Sequence, residues 1–170
     1  MKFDEPPADV EWNDWGPPDR VVIERGPVML FARAVKDPSP VYASDEAARD
    51  AGFPHVPVPP TYTFVMSCAG ALPDLQPPGG TGSMYSNSGV DAESALARDG
   101  LFLHGEQHFT YHRPVSVGDV LEGRLRTSKP IARQARRGPM EVTYFQTRWT
   151  DPDGAPVVDE GIVSLFFPNI

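Results

Sequence analysis

A chain of 170 residues with 40% hydrophobic content can bury one compact core and is too short for two ordinary domains. Its formal net charge of −8 excludes nucleic acid or an anionic membrane surface as the main partner, because both select basic patches. The single cysteine, Cys68, cannot form an internal disulfide, and the N-terminus shows no apolar signal stretch, so a cytoplasmic location is expected.

Residues 1–19 are acidic and proline-containing and read as an arm packed on the surface by Trp12 and Trp15. Residues 20–170 then form one domain. Arg20–Glu24 is a short β-rich segment. Gly26-Pro27 opens a helix, with proline at an early position where its missing N–H costs nothing. Leu30, Phe31, Ala34 and Val35 recur at helical spacing, and Asp37-Pro38 ends the run because the residue before proline leaves the α region. Ser44 caps a second short helix that carries Asp45 and Glu46 in its first turn and stops at Gly52.

Pro54 to Pro60 is a rigid connection with four prolines. From Thr61 to Leu72 the chain is apolar nearly all round, the pattern of a buried helix, and the run is too short to span a bilayer. Residues 73–99 carry Gly, Pro and Ser without periodicity and read as a long loop, a candidate pocket lid or else plain disorder, with a short helix at Ala92–Arg98. Four strands follow: Leu101–Arg113, Val120–Lys129, Met140–Asp151 and Pro156–Phe167, the last two joined by the turn Asp151-Pro-Asp-Gly154. Val142, Tyr144, Gln146 and Arg148 alternate with Thr143, Phe145, Thr147 and Trp149, so one strand presents two faces. This order gives an α+β domain, an antiparallel sheet wrapped around one long buried helix.

The basic stretch Arg124, Arg126, Lys129, Arg133, Arg136 and Arg137 stands out against the acidic background. It is either a solvated strand pair and turn or a mouth for a phosphate-bearing carrier. Asp37-Pro-Ser-Pro-Val-Tyr42 holds a carboxylate between a helix end and a proline turn, which suits a base and equally suits a capping acid. His104, His108 and His112 are spaced by four, but on a strand neighbours in that series stand about 13 Å apart and cannot share one ion. No metal and no cofactor are expected.

Three segments in order resemble the MaoC-like dehydratases and (R)-specific enoyl hydratases. Phe31 through Ala48 resembles their hydratase motif and matches it at Asp37, Pro40 and Val41, with Ser39 in place of asparagine and Tyr42 in place of histidine. Val58-Pro-Pro-Thr61 is similar to the N-terminal-type, FAS1-like branch, and Leu103 through Asp119 carries a family-like Arg-Pro-Val-x-Val-Gly-Asp turn. The resemblance covers roughly residues 18–168 and implies a hotdog fold. It implies an acyl-thioester hydratase/dehydratase, in which an acid–base pair holds a water that adds to C3 of a 2-enoyl thioester. It also implies a thioester oxygen polarised at the N-terminus of the buried helix.

The site residues it implies are Asp37, Tyr42 and His104 as catalytic candidates, and Ser39, Pro60, Thr61, Tyr62 and Gln107 around the substrate. A phenol with a pKa near about 10 is a poor base at neutral pH. Asp37 then works with another group such as His104, unless that histidine only contacts Glu106 or backbone. The alternative is a non-catalytic acyl-binding subunit whose hotdog partner supplies the Asp/His pair. A hotdog thioesterase is the third reading. The expected ligand is an acyl-CoA or acyl-carrier-protein thioester, and the expected assembly is a homodimer or a heterodimer with another hotdog chain.

Overall fold

A computed structural model describes residues 6–8, 10–69, 98–136 and 138–168. Strand β1 (Asp19–Val22) leads into helix α1 (Arg25–Ala34), a single 3-10 turn at Pro40–Tyr42, helix α2 (Asp45–Asp50) and helix α3 (Tyr62–Ala69). Five strands complete it: β2 (Gly100–Tyr111), β3 (Val120–Thr127), β4 (Ile131–Ala135), β5 (Gly138–Thr150) and β6 (Pro156–Pro168). All pairs are antiparallel, in the order β1-β3-β5-β6-β2, with β4 beside β5 beyond the end of β3. This is the α+β hotdog arrangement expected from the sequence.

Strand β4 is an addition to the four strands expected after residue 100. Its sequence Ile-Ala-Arg-Gln-Ala hides the signal, because its three central residues face solvent and only Ile131 packs on the outer core. The loop expected at 73–99 and the helix at 92–98 lie outside the described residues, except at their C-terminal end. There Arg98 forms a bidentate pair with Glu141 at 2.8 Å and lies 3.8 Å over the ring of Phe166. Among the described residues no helix is long and apolar enough to cross a membrane.

Alternation along the strands makes two cores. On the inner face Trp149, Val158, Leu121 and Leu125 join Val28 of α1 and Tyr62 of α3 in one buried cluster. Each such aliphatic side chain contributes about 1.5–3 kcal/mol on burial. On the outer face Val142, Tyr144 and Val163 form a second cluster, covered by Val10 and Trp12. The N-terminal segment follows β3: Trp12 bridges Ser128, the Asn13 N–H donates to Thr127 O at 2.9 Å, and the Gly16 N–H donates to Leu125 O at 2.8 Å.

The basic stretch holds this segment. Arg126 lies between the rings of Trp12 and Trp15, 4.4 and 4.5 Å from their centroids, and donates to Gln146. Lys129 pairs with Glu11 at 2.6 Å. Burial, then the neighbouring Arg148, act against the charge on Arg126, and the two indole faces compensate. Replacing both Trp12 and Trp15 by alanine is expected to lower stability by about 2–3 kcal/mol, read from the urea midpoint with an unchanged slope.

Candidate active site

The Asp37 loop is built by its two flanking helices. Helix α1 ends in a Schellman motif: Lys36 adopts φ 60°, its N–H donates to Arg33 O, and the Asp37 N–H donates to Ala32 O at 2.9 Å. The helix therefore stops at Lys36 through backbone capping, and Pro38 only prevents its resumption. Asp37 Oδ1 then accepts from the Ser39 N–H at 2.9 Å, closing an Asx turn into the 3-10 turn at Pro40–Tyr42. On the far side the Ser44 hydroxyl accepts from the Ala47 N–H at 3.2 Å and caps α2. Arg25 at the start of α1 bridges the two ends, pairing with both carboxylate oxygens of Asp45 at 2.7 Å and donating to Ala43 O. The candidate base is thus held on a loop with both ends fixed.

The second wall is the entry to α3. The proline-rich connection runs beside the turn after β2: the Val58 N–H donates to Val115 O and the Val117 N–H to Val56 O. That turn is tied by Asp119, whose Oδ2 accepts from Arg113 at 2.7 Å and from the Ser116 N–H at 2.9 Å. The family-like Arg-Pro-Val-x-Val-Gly-Asp segment therefore shapes a wall. At its end Thr61 adopts φ 71°, a left-handed conformation that costs a β-branched residue on the order of 1–2 kcal/mol.

Two cavities meet at Tyr42. One, of about 220 Å³, is lined by Asp37, Ser39, Tyr42, Arg33 and Met29. The other, of about 430 Å³, is lined by Tyr42, Pro60, Tyr111, His112, Phe53 and Val115. Burial and then the Asp37 charge push the Tyr42 phenol above its ordinary range, so it stays protonated at neutral pH. Asp37, Ser39 and Tyr42 thus share one cavity, and Tyr42 and Pro60 share the next.

The other expected residues are placed differently. His104 stands on the helix side of β2, edge-on to Phe64 at 5.7 Å, and lines neither cavity. A bulge between His104 and Glu106 turns His108 to the opposite face, where its ring lies over Gly161. Tyr62 is buried against Phe31, and its phenol is pushed up to about 12 by burial and then by Glu24. Its N–H donates to Pro59 O, and the Thr61 N–H donates to Tyr111 Oη at 3.0 Å. Neither of the two amides expected to face a thioester oxygen is open. Gln107 has a buried Nε2 without a hydrogen-bond partner among the described residues.

Three residues at or beneath these walls stand outside the set of site residues that the resemblance implies. Tyr111 and His112 precede the Arg-Pro turn and line the larger cavity. His112 Nε2 lies 2.8 Å from Asp159 Oδ2. Burial acts upward on the Asp159 carboxyl, but His112 and Arg148 outweigh it and hold it low. Glu160 is 2% exposed on the inner face, where the Trp149 indole N–H donates to its Oε1 at 3.2 Å. Burial pushes its carboxyl up to about 7 against the opposing hydrogen bonds from Thr63 and Trp149. A signal for it existed: in β6 an acid at 160 falls in the inward phase set by Val158 and Ile162.

These features define a hotdog domain with a motif-bearing cavity beside helix α1. The FAS1-like dehydratase domain region model matches residues 14–160, and the chain belongs to this family. A UPF0336 protein of Clavibacter michiganensis subsp. michiganensis is 34% identical over 81% of this chain and 79% of its own length. Among solved structures, the ChsH1-ChsH2 complex of Mycobacterium tuberculosis superposes with a TM-score of 0.67 at 19% identity, covering 90% of this chain and 84% of that one. The C-terminally truncated HadBC (3R-hydroxyacyl-ACP dehydratase) complex of the same organism gives 0.60 at 23% identity, covering 92% and 98%.

Glu160 sets a pH dependence of stability. Its folded value of about 7 lies above the ordinary 4.5, so the folded chain holds a proton that the unfolded chain releases between those values. Stability therefore falls as pH rises through that window and stays reduced above it. Glu160→Gln is expected to match wild type near pH 4.5 and to be more stable by on the order of 3 kcal/mol at pH 8, measured by denaturant melts across the range.

Proposed function

We propose that this chain is a subunit of an acyl-thioester hydratase/dehydratase that interconverts a 2-enoyl thioester and its 3-hydroxyacyl thioester. The observation that carries the reading is the single cavity shared by Asp37, Ser39 and Tyr42 at the family motif. The Asx turn leaves the second oxygen of Asp37 available to take a proton from water, and the protonated Tyr42 hydroxyl beside it can orient that water. Tyr42 then replaces the positioning half of the usual histidine, and the acid–base work falls to Asp37. The likeness to a 3R-hydroxyacyl-ACP dehydratase supports this ligand class. Purified protein is expected to consume a 2-enoyl-CoA, followed by loss of the enoyl-thioester absorbance, and Asp37→Asn to lower kcat at least about 100-fold.

A second reading is favoured by strand β2. It pairs with β6 and has no second strand among the described residues, and Phe102 and Leu103 on it are 45% and 40% exposed. An open apolar edge suits pairing with another hotdog chain, and the HadBC and ChsH1-ChsH2 neighbours are complexes. In this reading the chain shapes the acyl site and the partner supplies the Asp/His pair. Inactivity of the isolated chain that is relieved by a hotdog partner selects it over self-sufficient hydration. Phe102→Glu combined with Leu103→Lys is expected to shift the chain to monomer in sedimentation velocity while leaving its far-UV spectrum unchanged.

A further inference from the structure

Tyr111 ends β2 with its ring stacked on Phe109, centroids 5.9 Å apart at an interplanar angle of 15°. Its hydroxyl oxygen accepts the Thr61 N–H at 3.0 Å, at the entry to α3. Accepting that bond occupies a lone pair and leaves the phenolic hydrogen to be donated elsewhere. The ring is 43% exposed and lines the cavity of about 430 Å³ that also holds Tyr42. Thr61 is kept in its left-handed conformation at the other end of the same hydrogen bond, and strain of this kind concentrates where geometry is functionally required. Burial pushes the Tyr111 phenol up, the Thr61 bond acts downward and Glu160 upward, with a net rise, so the hydroxyl keeps its proton at neutral pH. A donor hydroxyl polarised by a backbone amide is a stronger donor than an isolated one.

We propose that Tyr111 is a catalytic residue of this site, and that its O–H, backed by the Thr61 amide, donates the hydrogen bond that stabilises the thioester oxygen. The role rests on the hydratase reading above. As water oxygen bonds to C3, its proton passes to Asp37. The C2=C3 π pair moves to the C1–C2 bond, and the carbonyl π pair moves onto the thioester oxygen. Tyr111 donates to that oxygen throughout without losing its proton. The pair returns as C2 takes the proton back from Asp37, so water has been added across the double bond with no other reactant. In this arrangement the amide at the helix start acts through the phenol, because Tyr111 already occupies it.

The test is Tyr111→Phe, which keeps the ring stacked on Phe109 and removes only the hydroxyl. With 2-butenoyl-CoA as substrate, kcat is expected to fall about 100-fold with little change in KM, the signature of a contact made mainly in the transition state. A second measurement needs no turnover: Raman difference spectra of bound 2-butenoyl-CoA. The thioester C=O stretch is expected to lie below its solution position on the wild type and to return toward it on the variant. Unchanged kcat or an unchanged stretch overturns the role of Tyr111 while leaving the hydratase reading intact. A rise in kcat overturns it too, because the phenol would then be an obstruction over the Thr61 amide. Failure of the wild type to bind the thioester at all overturns the hydratase reading itself.

Discussion

The first turn of α3 meets the inner face of the sheet through Tyr62 and Thr63, and the site depends on that contact. Tyr62 joins Trp149 and Val158 in the buried cluster, and Thr63 lies beside the carboxyl of Glu160. A buried acid here is costly if ionised, and the fold answers by raising its pKa and offering it an indole N–H. The polar centre at 160 therefore sits beneath an apolar layer, within electrostatic reach of Tyr111 on the neighbouring strand. Helix, sheet and cavity wall are coupled through these few side chains.

The loop on the other side is held by backbone chemistry. Two Schellman-type ends, at Lys36 after α1 and at Gly52 after α2, fix where each helix stops. The Arg25–Asp45 pair is exposed, so its net stabilisation is small, about 0–1 kcal/mol. Its use is geometric: it sets the distance between the two helix starts, and the Asp37–Tyr42 turn spans what remains.

The positions of the four long strands, the two faces of β5 and the cap at Ser44 were legible in the sequence because each rests on local period or on one side chain's chemistry. The sheet order departs from a simple antiparallel meander, since β2 pairs with β6 and not with β3, the strand that follows it. Strand β4 was not, since a short edge strand with solvent-facing Arg133 and Gln134 carries no apolar alternation. Asp37 and Tyr42 are singled out by their motif, and the two line one cavity. His104 shows the limit of reading along a strand. The bulge after it reverses the side on which later residues fall, and register of this kind depends on the partner strand. Tyr111 was illegible for a similar reason: its hydroxyl meets Thr61 fifty positions away in sequence, and nothing local announces it.

The two functional readings converge on β2. The strand carries Tyr111 at one end, and Phe102 and Leu103 on its open stretch at the other. A partner that paired along this edge would bury those apolar side chains and at the same time restrain the strand that presents Tyr111 to the larger cavity. Pairing and site geometry are then one mechanical problem, because a single twelve-residue strand joins them. A free chain would hold its phenol on the Thr61 amide with an unpaired edge beside it, and an assembled one would hold the same contact on a restrained strand. Substituting tyrosine for histidine at 42 fits that division. It removes a second titrating group from the Asp37 cavity, and it leaves a protonated hydroxyl where the two cavities meet.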